Sequence, residues 1–397
     1  MTASTTERRV PPAKAAPGWA QALDIGAPGL ALAQIEYART GEGDWATAHR
    51  WASATVAEPV NASAARASLF RGAPAVAFTL HAAGPGTYQR ALSTLDEHVA
   101  DLTRLRLAAA HARIDAGRLA ELREWDLISG LTGIGSYLLE RHGDTELLRE
   151  VLAYLVRLTE PITVHGEPLP GWWCVNGPSD RPSPRWPGGH GNFGIAHGIA
   201  GPLALLSSTM RRGVTVAGQS ETITLICAWL DRWRGCSRAS TWWPEMISRT
   251  ELIIEAGHHD RPRRPSWCYG TPGLARAQQL AGLALGDTQR QKLAEGALLS
   301  CVRDPAQLFD LSDATLCHGW AGLLLTVWRA GADATDERLT TELPRLAARL
   351  DQHLHRAGRP AETGLLEGTA GIDLVRHTAA TTTEPPTRWD ACLLLAG

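Results

Sequence analysis

No stretch of this chain offers eighteen uncharged apolar residues, so nothing in it reads as a membrane-spanning helix. A secretory signal is also missing: MTASTTERRVPPAKAAPGWA follows its two arginines with Pro, Lys and Ala where an apolar run is required. The expectation is a cytoplasmic protein whose residues 1–18 form a disordered tail. A third absence is any Lys/Arg-rich run. With 39 basic and 41 acidic residues the formal charge is -2, which argues against nucleic acid as a partner. Nor is there a disulfide framework: seven cysteines are an odd number, widely scattered in a long chain. Cys227, Cys301 and Cys392 sit in apolar surroundings and read as small buried hydrophobes. Cys174 and Cys236, in loop-like stretches, also read as ordinary thiols. Cys268 and Cys317 remain.

What the chain has in abundance is one local pattern. A Gly-x-x-Gly step followed by an apolar helical run recurs seven times, with its first glycine at 26, 72, 130, 198, 270, 319 and 368. The second copy has Ala75 in place of the later glycine. The copies are 46 to 72 residues apart, and the shortest interval holds two helices of about twenty residues with their loops. Each copy therefore predicts a helical hairpin. Seven hairpins, each with one helix apolar on most sides, predict an all-α fold: an α/α toroid in which an inner ring of buried helices is wrapped by an amphipathic outer ring. One domain over residues 19–397 is expected. Glycine at the inner helix starts lets backbones crowd, and leaves amide N–H groups and the positive dipole ends unshielded at one mouth. Two longer intervals carry irregular insertions rich in Pro, Gly and Trp, before the fourth and fifth copies. Such loops form a lid or peptide-binding rim, or they are stapled structurally by their tryptophans; both readings stand.

Aligned on their first glycine, the copies gather chemistry at one level. Cys268 and Cys317 stand two positions before it, and His197, Tyr269 and His318 one position before it. Residues adjacent in a helix diverge by roughly 100°, whereas a glycine-led turn can point both at one centre. Cys268, Cys317 and His318 thus read as a Cys2His zinc site with its fourth place open, the arrangement of a catalytic zinc. A Cys268–Cys317 disulfide fits the spacing but not the expected compartment, and buried spectator cysteines need not share a frame.

These blocks, WCYGTPG, CHGWAG and NFGIAHGIAGPL, with WDLISGLTGIG upstream, resemble the signature blocks of the lanthionine synthetase C-like family from about Gly26 to Gly371. The resemblance implies an α/α toroid with one Zn2+ per chain. It implies an enzyme that adds cysteine thiols of a precursor peptide to dehydroalanine or dehydrobutyrine, forming lanthionine and methyllanthionine thioether rings. Position by position, Cys268, Cys317 and His318 match the zinc ligands, and His197 the acid/base histidine. Asp126, Arg264 and Tyr269 match further active-site positions. The first repeat begins at Ile25, which reads as a stand-alone cyclase without a fused dehydrating module. Its implied partners are the dehydrated precursor with its leader, a separate dehydratase in trans and a membrane exporter complex.

From the residues alone, His197 is the best proton donor to an enolate, since imidazole titrates near working pH. Asp126 orients an imidazole, fixes Arg264 or caps a helix. Tyr269 donates to the enolate oxygen or only packs, and Arg264 polarises the peptide carbonyl or is a solvated member of RPRR. His190, His258 and His259 are weaker alternatives. Rival functions are glutathione addition to dehydroamino acids, another zinc toroid such as a prenyltransferase, and a peptide-binding scaffold without turnover.

Overall fold

The computed structural model describes residues 10–12, 15–237, 240–255, 261–381 and 383–397. Most of the expected N-terminal tail, and His258 and His259, lie outside them. Every Gly-x-x-Gly copy opens a helix: α1 (Ala27–Thr40), α3 (Ala73–His81), α6 (Leu131–His142), α8 (Ala200–Arg211), α11 (Thr271–Leu285), α14 (Trp320–Ala332) and α16 (Thr369–Thr381). Each of these packs against the next, and α16 closes back on α1. Six helices form the outer layer, each on the inner helix before it: α2 (Trp45–Ala54), α4 (Gln89–Asp115), α7 (Glu146–Arg157), α9 (Gln219–Arg232), α12 (Thr288–Arg303) and α15 (Leu343–Ala357). Their amphipathicity explains their place. In α7 Leu148, Val151, Leu152 and Leu155 are buried at helical spacing, while Arg149 and Glu150 between them face outward.

The seventh unit differs from the hairpin expectation. Among the described residues no α-helix follows α16; instead residues 383–397, with a short 3-10 turn at Trp389–Leu393, enter the axis of the ring. Ser136 in α6 donates to Ala391 O (3.0 Å), Arg276 in α11 to Leu395 O, and the Trp267 indole N–H to Leu393 O (3.0 Å). The toroid thus has seven inner helices, six outer ones and an axial plug. Buried hydrophobics from Leu23 to Leu395 form one continuous cluster.

The glycine steps have a tertiary cause. A Cβ on Gly273 or Gly322 would run into the carbonyl oxygen of Trp267 or Leu316 in the loop that enters the helix. The space left free lets neighbouring entry loops join through their backbones. Ile195 N donates to Cys268 O (3.2 Å), Cys268 N to Cys317 O (3.2 Å), Cys317 N to Leu366 O (2.8 Å) and Leu366 N to Asp24 O (2.9 Å). Consecutive repeats are laced together at the level where the chemistry-bearing side chains emerge.

Short helices α5 (Leu122–Trp125) and α13 (Pro305–Phe309) lead toward the third and sixth copies, and α10 (Arg249–Ile254) lies in the second insertion. The insertions hold small antiparallel pairs, β1 (Ile162–Val164) with β2 (Glu167–Leu169) and β4 (Gly235–Cys236) with β5 (Thr241–Trp242). β3 (His190–Asn192) pairs with β6 (Met246–Ser248) and so ties one insertion to the other. Trp172, Trp173, Trp242 and Trp243 are buried, Trp172 edge-on to Trp229 of α9 at 5.6 Å. For these four, stapling is the reading that holds. No helix among the described residues is long and apolar enough to cross a membrane.

Candidate active site

Three of the aligned side chains meet. One ligand atom each from Cys268, Cys317 and His318 lies within 4.8 Å of the others, the only such His/Cys/Asp/Glu group among the described residues. Cys268 is 6% exposed, and its main chain is clamped on both sides by the loop ladder. Cys317 and His318 come from one glycine-led turn, so adjacent residues do converge, as the loop geometry allows. None of the seven cysteines is in a disulfide.

The three groups shift one another's protonation. The hydrogen bond from Cys317 pulls the Cys268 thiol well below its usual range against the cost of burial, with help from His318. The same bond and burial push Cys317 up. His318 is raised, first by its bond to Cys268 and opposed by burial, with Asp313 adding to the rise. Asp313 Oδ2 lies 3.5 Å from His318 Nε2, and its Oδ1 accepts from Thr315 N at 2.7 Å. Asp313 was not legible as a site residue. Two soft sulfurs and an imidazole, one thiol already poised to ionise, make a donor set that suits zinc.

Beside the trio stands a dyad. His197 Nδ1 and Asp126 Oδ2 are 2.6 Å apart. Asp126 Oδ1 accepts from Ser129 N (2.6 Å) and Gly130 N (2.9 Å) at the start of α6. It both orients the imidazole and ties down the turn that enters α6. Burial works against a charge on His197, but the bond to Asp126 and its negative charge outweigh it, and the pKa is raised above the ordinary imidazole value. The His197 side chain keeps 36% of its surface exposed, and among the described residues its Nε2 has no hydrogen-bond partner.

Tyr269 stacks on His197, ring centroids 6.5 Å apart at 29°, and its Oη accepts from Asn192 Nδ2 at 3.1 Å. Arg264 is not bonded to Asp126, and among the described residues its side chain has no hydrogen-bond or ion-pair partner. Its charge still acts on Cys317, His318 and the partly buried Glu245. Arg106 of α4, which donates to Ser129 O (2.6 Å), is a cation that feels the charge of Asp126. His190 is fully buried and serves Asn192 rather than the mouth. Asn192, Glu245 and Arg106 escaped the sequence reading because they lie outside the repeat frame. Cys174, against Trp172 O, is a buried thiol as read.

A family model for lanthionine synthetase C-like proteins matches residues 19–394. The chain belongs to the lanthionine synthetase C-like family. Among relatives of this lanthionine synthetase C-like chain, the nisin biosynthesis protein NisC of Lactococcus lactis subsp. lactis is 26% identical over 261 residues, 64% of this chain. The match spans 60% of that relative's length. The solved structure of nisin cyclase superposes with a TM-score of 0.82 at 22% identity, covering 96% of this chain and 93% of the other. Its fold is the α/α toroid seen here.

Proposed function

We propose that residues 19–397 act as one cyclase domain that closes thioether rings in a dehydrated precursor peptide, with Cys268, Cys317 and His318 holding one zinc ion. What supports the reading is the Cys2His trio together with the His197–Asp126 dyad, whose imidazole feels the charge of Cys268. When bound there, the ion supplies a Lewis acid that brings the substrate's cysteine thiol, ordinarily near pKa 8.5, to its thiolate at neutral pH. Every later task falls to the chain's own groups. The thiol proton leaves to solvent and the sulfur lone pair forms the S–C bond at the alkene carbon. The π electrons pass to the neighbouring carbonyl as an enolate. His197, held protonated by Asp126, then delivers its Nε2 proton to the α-carbon and is recharged from solvent. Tyr269 donates a hydrogen bond to the enolate oxygen, and Arg264, without a partner among the described residues, polarises the same carbonyl.

On this reading the precursor arrives with its leader from a dehydratase acting in trans, in the cytoplasm, and an exporter removes the product. The test offers the purified chain a dehydrated, cysteine-bearing peptide together with glutathione. Ring closure leaves the peptide mass unchanged and removes its alkylatable thiol, whereas glutathione addition raises the mass. Loss of free thiol without added mass, with about one zinc per chain, is the expected result. A glutathione adduct alone, or binding without turnover, overturns the proposal.

A further inference from the structure

We infer that Asn192, carried on β3 of the first insertion, is a positioning residue that decides which way the Tyr269 hydroxyl donates its hydrogen. The chain of contacts admits only one polarity. Gly194 N–H donates to Asn192 Oδ1 (3.1 Å), which fixes the amide with its NH2 toward His190 and Tyr269. That NH2 has two hydrogens and two acceptors: Tyr269 Oη at 3.1 Å and His190 Nε2 at 3.4 Å. For Nε2 to accept, the imidazole must carry its hydrogen on Nδ1, and Nδ1 lies 2.8 Å from the backbone carbonyl of Asn176, which can only accept. Each link, from a main-chain oxygen to the phenol, is thereby assigned.

The consequence falls on Tyr269. Its oxygen is already an acceptor on the Asn192 side, so its hydrogen points elsewhere, and the inference turns it toward the mouth, where the ring stacks on His197. Asn192 is 1% exposed and His190 0%, so no solvent competes for these bonds. Gly194 supplies the room as well as the N–H: a Cβ there would stand 2.7 Å from the Tyr269 ring. A donor held ready costs no reorganisation when charge develops on an oxygen in front of it. The inference rests on the cyclase reading for what that oxygen is, an enolate, but not for the direction of the hydroxyl. It also gives the first insertion a task in the site itself, beyond covering the ring.

The decisive variant is Asn192→Asp, which keeps the shape but replaces the donor by an acceptor, so that the phenol hydrogen turns inward. Its kcat for ring closure should fall as far as that of Tyr269→Phe, on the order of 10²-fold, with KM and zinc content unchanged. The double variant should be no slower than Tyr269→Phe alone. In chains labelled with 3-fluorotyrosine, the 19F resonance lost in Tyr269→Phe should shift in Asn192→Asp. If Asn192→Asp does not fold, Asn192→Ala serves for the same comparisons. Multiplying rate losses in the double variant, or an unmoved resonance, overturns the inference. Should the wild type close no ring at all, the cyclase reading falls, and the resonance still decides the hydroxyl's direction.

Discussion

The two ends of the inner ring treat charge in opposite ways. At the far end Arg329, 5% exposed, grips Asp390, 0% exposed, through bonds of 2.5 and 2.8 Å, and also reaches Glu384. Arg276 is bound by Asp333 and Leu395 O, and Arg388 by Glu140. Every one of these guanidinium groups faces a carboxylate, and Arg276 a main-chain oxygen as well. Cations near the C-terminal ends of helices also meet the favourable end of the dipole. At the mouth the balance is deliberately incomplete. Cys268, Cys317 and His318 face one another within 4.8 Å, and among the described residues His197 Nε2 and the Arg264 side chain have no hydrogen-bond partner. The difference teaches that one ring of helices carries both a neutralised anchor and a reactive site, because saturated hydrogen bonding rigidifies whereas open valence is what a substrate can use.

Substitutions that break this contrast should differ in kind. The largest effect is expected from Cys317→Ala at the mouth: zinc content should fall from about one per chain to near zero and ring closure to the uncatalysed level, by elemental analysis and mass spectrometry, with the helical circular dichroism unchanged. Next comes His197→Ala, which should keep its zinc yet lose about 10²–10⁴ in rate; loss of metal would mean that trio and dyad are not separate parts. At the far end, Asp390→Ala strands a buried guanidinium and should cost about 3–5 kcal/mol in denaturant unfolding, with unaltered zinc per folded chain.

Asp126→Asn sharpens the comparison through pH. His197 is raised by its carboxylate partner, so its charged form contributes fully below the free imidazole value and is lost as pH rises through the raised one. Without the carboxylate the fall in rate should move to lower pH, and a profile that stays in place contradicts the dyad. The smallest effect belongs to the outer layer, which touches neither end. Gly296 in α12 is exposed, and a Cβ there meets nothing within 4 Å. Gly296→Ala should add about 0.5–1 kcal/mol of stability and leave catalysis alone, whereas Gly273→Ala drives a methyl group into the Trp267 carbonyl and should destabilise.

Residue pattern alone carried the toroid, because the repeated glycine steps and the apolar and amphipathic helices are local properties with a fixed period. It also carried the trio and His197, which stand one or two positions before the first glycine of their copies; a repeat frame turns sequence offset into spatial level, whereas Asp126, four positions before Gly130, entered through the family resemblance. Outside that frame the sequence was silent. That Asn192 reaches Tyr269, that Asp313 backs His318, that Arg106 of α4 stands against the charge of Asp126, and that residues 383–397 enter the axis in place of a seventh outer helix were all decided by packing. Side chains on irregular insertions have no period to betray where they point. Their partners are 77 residues away or more in the case of Asn192 with Tyr269 and of the tail with α6, and only the closed ring brings such distant segments within a hydrogen bond of each other.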